Sequence, residues 1–402
     1  MRSLRLSFLL ASLLALPIAS PARAQVSGTF NGWTFTISGS AGGFASYTIC
    51  DKAPKVGDFY VACAGGPDVK NSTSISSGLV PGHATFEVKS TAAGWDFGGA
   101  LGWWSNAAAS GSGNNAAFGS TNTDQRQNYV FFGKKDLGTI KVGRDFAVFG
   151  GEALGNDMTV AGVGSAGYHG PNGNSTAGRI GVGYFFLDEA AQITYSSPKL
   201  SGLQVVISIE QAWDLIDKTF KRVVTVHETP ALDGKVTFDL APVHVWVSGW
   251  LQNAATGGPA SKSITTAVAD VGIALTPVPG LSIVGTGYYG SGAGMFARGF
   301  YALADDLSTR NSAGYYGQVT YKISDVKLGV SYGASLLSLA SSETATSNPT
   351  LLKSNASIIG GVYYGLTPNV TLTAEFTHTT TKSQNDASAS DNNIALGSII
   401  FF

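Results

Sequence analysis

The sequence predicts an all-β fold, a 16-stranded antiparallel transmembrane β-barrel, and three observations carry that prediction. Segments of about ten residues alternate apolar with small or polar side chains almost from end to end, the period of a strand with one greasy and one wet face. The connections between them alternate strictly, a tight turn and then a long polar loop. An export signal opens the chain, yet no later apolar run approaches the ~18 residues of a membrane helix. In lipid only helices and closed sheets satisfy every backbone N–H and C=O, so an exported membrane chain without helical spans must close its sheet.

The export signal is legible in detail. Arg2 and Arg5 precede an apolar run over residues 6–16, and Pro17 leads to Ala22-Arg23-Ala24, the small-x-small pattern that signal peptidase accepts. Residues 1–24 are therefore expected to be a signal peptide cleaved after Ala24, with 25–402 forming one barrel domain. A membrane anchor is the poorer reading, because the run falls short of the ~20 residues a span needs. Without Arg2, Arg5 and Arg23, 22 basic residues face 26 acidic ones, which disfavours nucleic acid as a partner. The 52 glycines and the 13% of charged residues suit strands and turns. Cys50 and Cys63 are the only cysteines. In an oxidising compartment they are expected to pair and tie down a surface loop. The competing reading, a metal or catalytic thiol, has no histidine nearby to serve it.

Taken in order, the first strand covers residues 32–49, with Trp33, Phe35 and Ile37 alternating with Thr34 and Thr36. The cysteine loop follows, then strands over 83–89 and 95–103 joined by the turn Thr91-Ala92-Ala93-Gly94. After a Ser/Gly/Asn-rich loop, Tyr129-Val130-Phe131-Phe132 and Thr139-Ile140-Lys141-Val142-Gly143 form a hairpin over Lys134-Lys135-Asp136-Leu137-Gly138. About thirty aperiodic residues come next, a length that demands a task. Residues 179–196 read as one long strand with Ile180, Val182, Tyr184 and Phe186 on its apolar face. Strands over 203–210, 235–240, 243–251, 265–275, 281–290, 313–323, 327–335, 355–364, 370–380 and 392–402 complete sixteen, with residues 381–391 as the last long loop. A soluble sandwich would share the alternation but not the strict alternation of short and long connections.

Three stretches resemble one family. Residues 128–174 resemble the second periplasmic turn, fifth strand and constriction loop of Gram-negative general porins, through Tyr129-Val130, Gly133, Gly138-Thr139 and Gly143-Arg144. The turn Tyr195-Ser196-Ser197-Pro198-Lys199-Leu200-Ser201-Gly202 resembles the Tyr-x-Ser-Pro-x-x-x-Gly turn of neisserial and related porins. The last strand sets Ile394, Leu396, Ile400 and Phe402 on one face and ends on an aromatic, which resembles the terminal signal read by the barrel-assembly machinery. The resemblance implies a homotrimer in the outer membrane, among lipid and lipopolysaccharide, passing small hydrophilic solutes passively and without a cofactor. It also implies that the loop after Arg144 folds into the lumen and sets acidic groups against basic ones on the facing wall.

The acidic candidates are Glu152 and Asp157, then Asp145, which stands at the start of the loop. The basic candidates are Arg179 and Arg126, then Lys89; Arg179 points away from the lipid-facing Ile180 and Val182. The family places an arginine close before the Tyr-x-Ser-Pro turn, whereas Arg179 lies sixteen residues ahead of Tyr195. Glu87, Gln204, Glu210, Lys327 and Glu375 complete a mixed inward lining. Arg144 shares the parity of Ile140 and Val142 and is assigned to barrel structure. His83, His169, His227, His244 and His378 show no metal spacing and no nucleophile constellation, so no catalytic or metal residue is assigned. Two rival readings remain. One is a selective channel with a sugar-stacking track of Trp104, Trp246 and Trp250; the other is an enzyme or adhesin on a barrel platform.

Overall fold

The computed structural model describes residues 25–51, 61–63, 69–105, 123–166, 175–186, 188–216, 222–224, 226–256, 261–297 and 299–402. The expected signal peptide and most of the Ser/Gly/Asn-rich loop lie outside the described residues. Among them, sixteen barrel strands pair antiparallel with their neighbours in sequence order, and the first pairs with the last to close the ring. They are β1 (Trp33–Cys50), β2 in two pieces (Asn71–Ser76 and Gly82–Ala92), β3 (Trp95–Ser105), β4 (Thr123–Lys134), β5 (Gly138–Phe146), β6 (Glu189–Ser196), β7 (Leu203–Glu210) and β8 (Ala231–Leu240). The second half comprises β9 (Val243–Ala255), β10 (Ser263–Leu275), β11 (Leu281–Ser291), β12 (Asn311–Ile323), β13 (Val326–Leu337), β14 (Leu352–Gly365), β15 (Val370–Ser383) and β16 (Ser388–Phe401).

Closure disposes of the edges that lipid would not tolerate. β1 spans the seam: its second half pairs with β16, and beyond Phe402 the short piece Val26–Phe30 takes up the same ladder. Phe402 exchanges backbone hydrogen bonds with Gly39 in both directions, at 2.6 and 2.9 Å, so the terminal residue is itself part of the seam.

The outward positions form a continuous apolar band. Ile193 and Ile207, Val247 and Val271, Val319 and Val330, and Phe376 and Ile394 are all exposed and stand on adjoining strands. A soluble protein does not carry an exposed apolar surface of that extent, so its solvent is lipid. Trp33, Trp95, Phe132, Tyr195, Tyr321 and Tyr364 ring one end beside the short turns, where amphipathic rings favour the membrane boundary.

Two sequence expectations change. Residues 179–196 are not one strand: only Glu189–Ser196 pairs in the barrel, and residues 179–186 are folded inside it. Gly178, Gly181 and Gly183 hold φ of 56°, 68° and 150°, so the apparent alternation of Ile180, Val182, Tyr184 and Phe186 belongs to a tightly turned segment. The last long loop shrinks to residues 384–387, because β15 and β16 continue their ladder to Lys382 and Ser388. Between β7 and β8 lies a small hairpin, Leu215–Ile216 against Arg222–Val224, and Val226 bridges to Ala255 of β9.

Candidate functional site: the lumen and its constriction

The connection from β5 to β6, residues 147–188, leaves the wall and crosses the lumen. Its neck is closed by the Ala147 N–H on the Asp188 carbonyl at 3.1 Å. Its described residues carry the short helix α1 (Gly151–Gly155) and a 3-10 turn at Met158–Ala161. Backbone groups in such a loop have lost water and must be satisfied by the wall. Polar side chains of the far strands do this. Asp233 accepts from the N–H groups of Val148 and Phe149 at 2.8 and 3.0 Å, and Gln318 accepts from Met158 and donates to Asn156. Tyr316 donates to Ala153 at 2.7 Å, Thr373 to Ala161 and Thr377 to Gly164. Glu375 receives Val163 N, Gly164 N and the Tyr363 hydroxyl at 2.8, 2.7 and 2.6 Å. Inward polar positions of β8 to β15 are thus largely a cradle for this loop. Trp246 is part of the same platform: it lies over Gly272, where a Cβ would come within 1.9 Å of the indole.

Each candidate site residue has a definite place. Glu152, on α1, is buried and ion-paired with Lys235 of β8 at 2.5 Å, with His244 Nε2 of β9 at 3.2 Å. His244 Nδ1 is 2.5 Å from Asp239, which also pairs with Lys199, so a line of charges runs from the loop to the rim of short turns. Burial pushes the Glu152 carboxyl up, but the hydrogen bond to His244 and the charge of Lys235 outweigh it and hold it at about 2. Asp157 caps the 3-10 turn, accepting from Thr159 N and Oγ1 at 2.9 and 2.8 Å and from the Tyr184 hydroxyl at 3.0 Å. Burial raises its pKa against the opposing pull of Arg179. Arg179 is fully buried; its Nε donates to Ser331 at 2.5 Å and Nη1 is 3.4 Å from the Val182 and Ser357 oxygens.

Asp145 belongs to β5 rather than to the loop and pairs with Lys141, while Gln127 donates to it at 3.1 Å. Arg126 lies 3.3 Å from Asp124 and 3.2 Å from Glu189, with its guanidinium 5.1 Å from the Trp104 ring centre. Lys89 is 3.9 Å from Glu87 and keeps 30% of its side chain exposed. The structure brings Asp157 into the electrostatic range of Arg179, but it sets Glu152 against Lys235 and His244 rather than against any of the three basic candidates. Trp246 and Trp250 are 1% and 2% exposed beneath loops, so the stacking track reduces to Trp104. Arg144 stands on the outer face, 3.9 Å from Glu189, and Cys50 and Cys63 are disulfide-bonded.

Sequence reasoning missed Lys235 and His244 as partners of Glu152; only the register of β8 on β9, Asp239 opposite His244, places them together. It also missed the device that aims Arg126. The β3–β4 ladder slips at this point, Gly102 opposing Gln127 and Trp103 opposing Gln125, so Arg126 is the extra residue of a bulge.

What the cradle leaves open is one side. Along β1 to β4, Thr34, Thr36, Ser38, Thr85, Lys89 and Gln127 face inward and stay partly accessible, whereas the inward residues above the middle of β9 to β15 are buried under loops. Partly accessible polar groups inside a greasy-sided barrel suit a channel.

Comparison with known proteins agrees. A family model described as Gram-negative porin matches residues 9–384. No curated protein matches. Among solved structures the chain is similar to the outer membrane channel DcaP of Acinetobacter baumannii, at 16% identity over 93% of this chain and 99% of that one, with a TM-score of 0.69. It is similar to OmpF of Salmonella typhi, in complex with daunomycin, at 10% identity over 94% and 100% with a TM-score of 0.61. For OmpT, an outer membrane protein of Vibrio cholerae, the values are 13%, 94%, 100% and 0.53. At such identities the likeness to these structures is one of fold. The family match over nearly the whole chain goes further: this protein belongs to the Gram-negative porins, and its barrel is an outer-membrane channel.

Proposed function

We propose that the chain, matured by removal of residues 1–24, works as a homotrimer through which ions and small hydrophilic solutes diffuse passively. The passage runs between the inward loop and the wall of β1 to β5, and its filter is a set of charged pairs on that wall: Lys89 with Glu87, Lys141 with Asp145, and Arg126 with Asp124 and Glu189. Glu152, Asp157 and Arg179 then act as anchors of the loop. The observation that carries this reading is Lys89, which keeps 30% of its side chain exposed on the open side while Glu152 is buried against Lys235 and His244 on the far wall.

Bilayer recordings of the mature chain in a salt gradient test it. Lys89→Glu replaces a cation by an anion beside the passage. At ~10 Å in water, reversing one unit charge changes an ion's energy by about 0.8 kcal/mol, favourably for a cation and unfavourably for an anion, so about 1.7 kcal/mol separates the two, roughly sixteenfold in the cation-to-anion permeability ratio before salt screening. A shift of that order towards cations is expected. An unchanged ratio removes Lys89 from the filter.

A further inference from the structure

A second extracellular connection also turns into the barrel. Residues 292–310, between β11 and β12, fold back onto inward-facing side chains of β9 to β11. Ala293 packs with Trp250 and Tyr288, and Ala302 and Leu303 pack with Ala254 and Ile264. The tip meets the constriction loop directly. Phe186 N donates to the Phe296 carbonyl at 2.7 Å, and the Phe296 ring lies so close to Gly181 that a Cβ there would come within 2.2 Å of it. Gly181 holds φ of 68°, so this position both needs the left-handed region and needs the space.

The base of this loop is fastened by a buried ion pair. Arg310 has no exposure; its Nε and Nη2 reach the Glu343 carboxylate at 2.8 and 2.5 Å, and Nη1 donates to the Tyr301 carbonyl at 3.2 Å. Glu343 is held in turn by the Ala340 N–H at 3.0 Å, and Ser308 and Ser342 hydroxyls meet at 2.8 Å. A two-pronged arginine–carboxylate contact fixes orientation as well as distance, so it defines how residues 292–310 and 338–351 sit together. The surface they present to the constriction loop is apolar: Met295, Phe296 and Leu351 pack in one cluster with Ala177 and Val182. Apolar constrictions shed water and with it ions.

We propose that residues 292–310 are a second constriction element, latched by Arg310 and Glu343, which closes the β9–β14 side of the mouth and confines water and solute to the β1–β5 side. The inference rests on the porin reading. Arg310 is a positioning residue: it touches no solute and acts through Phe296.

The test is single-channel conductance of the mature chain in planar bilayers, with liposome swelling in neutral sugars of graded size. Arg310→Ala and Phe296→Gly are expected to roughly double the conductance, as when the open cross-section doubles, and to admit larger sugars. The exchanged pair Arg310→Glu with Glu343→Arg is expected to return both towards wild type, which a general loss of stability would not do. Phe296→Gly leaves the latch intact and decides the matter if Arg310→Ala fails to assemble. Wild-type steps that Phe296→Gly leaves unchanged overturn this inference alone, whereas a wild-type chain that does not conduct overturns the porin reading and this one together.

Discussion

Glu152 illustrates how a carboxylate in the expected loop meets partners that the sequence does not announce. The porin resemblance marks it as a filter acid; the structure sets it against Lys235 and His244 on the far wall, and a carboxyl held at about 2 goes with that pairing. Removing one partner of a buried pair leaves the other uncompensated, so Glu152→Gln is expected to destabilise the folded barrel by about 3 kcal/mol, read from denaturant unfolding in detergent. Because the folded pKa lies below the ordinary 4.5, the stabilisation is complete above pH 4.5 and is lost as pH falls through about 2. The gap in melting temperature between wild type and Glu152→Gln should therefore not narrow from pH 7 to 5 and should narrow below 4.5. A gap that narrows between pH 7 and 5 would contradict the pairing. The sequence holds Lys235, Asp239 and His244 in plain view, yet no local pattern joins them to a residue some ninety positions earlier. That link exists only once the register of β8 and β9 is known. Arg126 was likewise chosen for its charge, while the bulge that turns it inward is a slip in the ladder with no composition of its own.

Among elements, the constriction loop depends on the wall more than on itself, since α1 and one 3-10 turn are its regular structure among the described residues. Glu375 is the most heavily used anchor. Glu375→Ala leaves two buried N–H groups without an acceptor, at about 1–3 kcal/mol each. Hydrogen exchange at Val163 and Gly164 is expected to accelerate by at least tenfold while exchange in β10 and β11 stays unchanged; equal acceleration everywhere would mean that the barrel itself had weakened. Cys50 and Cys63 tie β1 to its loop, and replacing both by Ser is expected to lower stability by about 3 kcal/mol without preventing assembly, as melting of oxidised and substituted chains would show. The strands were legible wherever one face meets lipid, because the two-residue period is then enforced at every step. Residues 179–186 were misread for the same reason: alternating Gly with Ile, Val, Tyr and Phe mimics that period, while three glycines at positive φ give a folded segment. The spacing of Gly178, Gly181 and Gly183 was the available warning.

For the whole molecule, closure is the property from which the rest follows. A ring of sixteen strands removes sheet edges, presents apolar side chains to lipid, and leaves an interior that loops then fill unequally. The cradle of β8 to β15 and the second loop occupy one side, and the proposed passage keeps to the polar face of β1 to β5. The alternation of short and long connections made the ring legible; how far the loops enter it was not, because loop placement depends on contacts between residues more than a hundred positions apart, such as Met158 with Gln318 and Val163 with Glu375. The most direct test is the conductance of residues 25–402 reconstituted in a planar bilayer. Discrete steps whose size rises in proportion to the conductivity of the bathing salt are expected of a water-filled barrel. A chain that stays soluble without detergent, or that inserts and passes no current, would contradict the account.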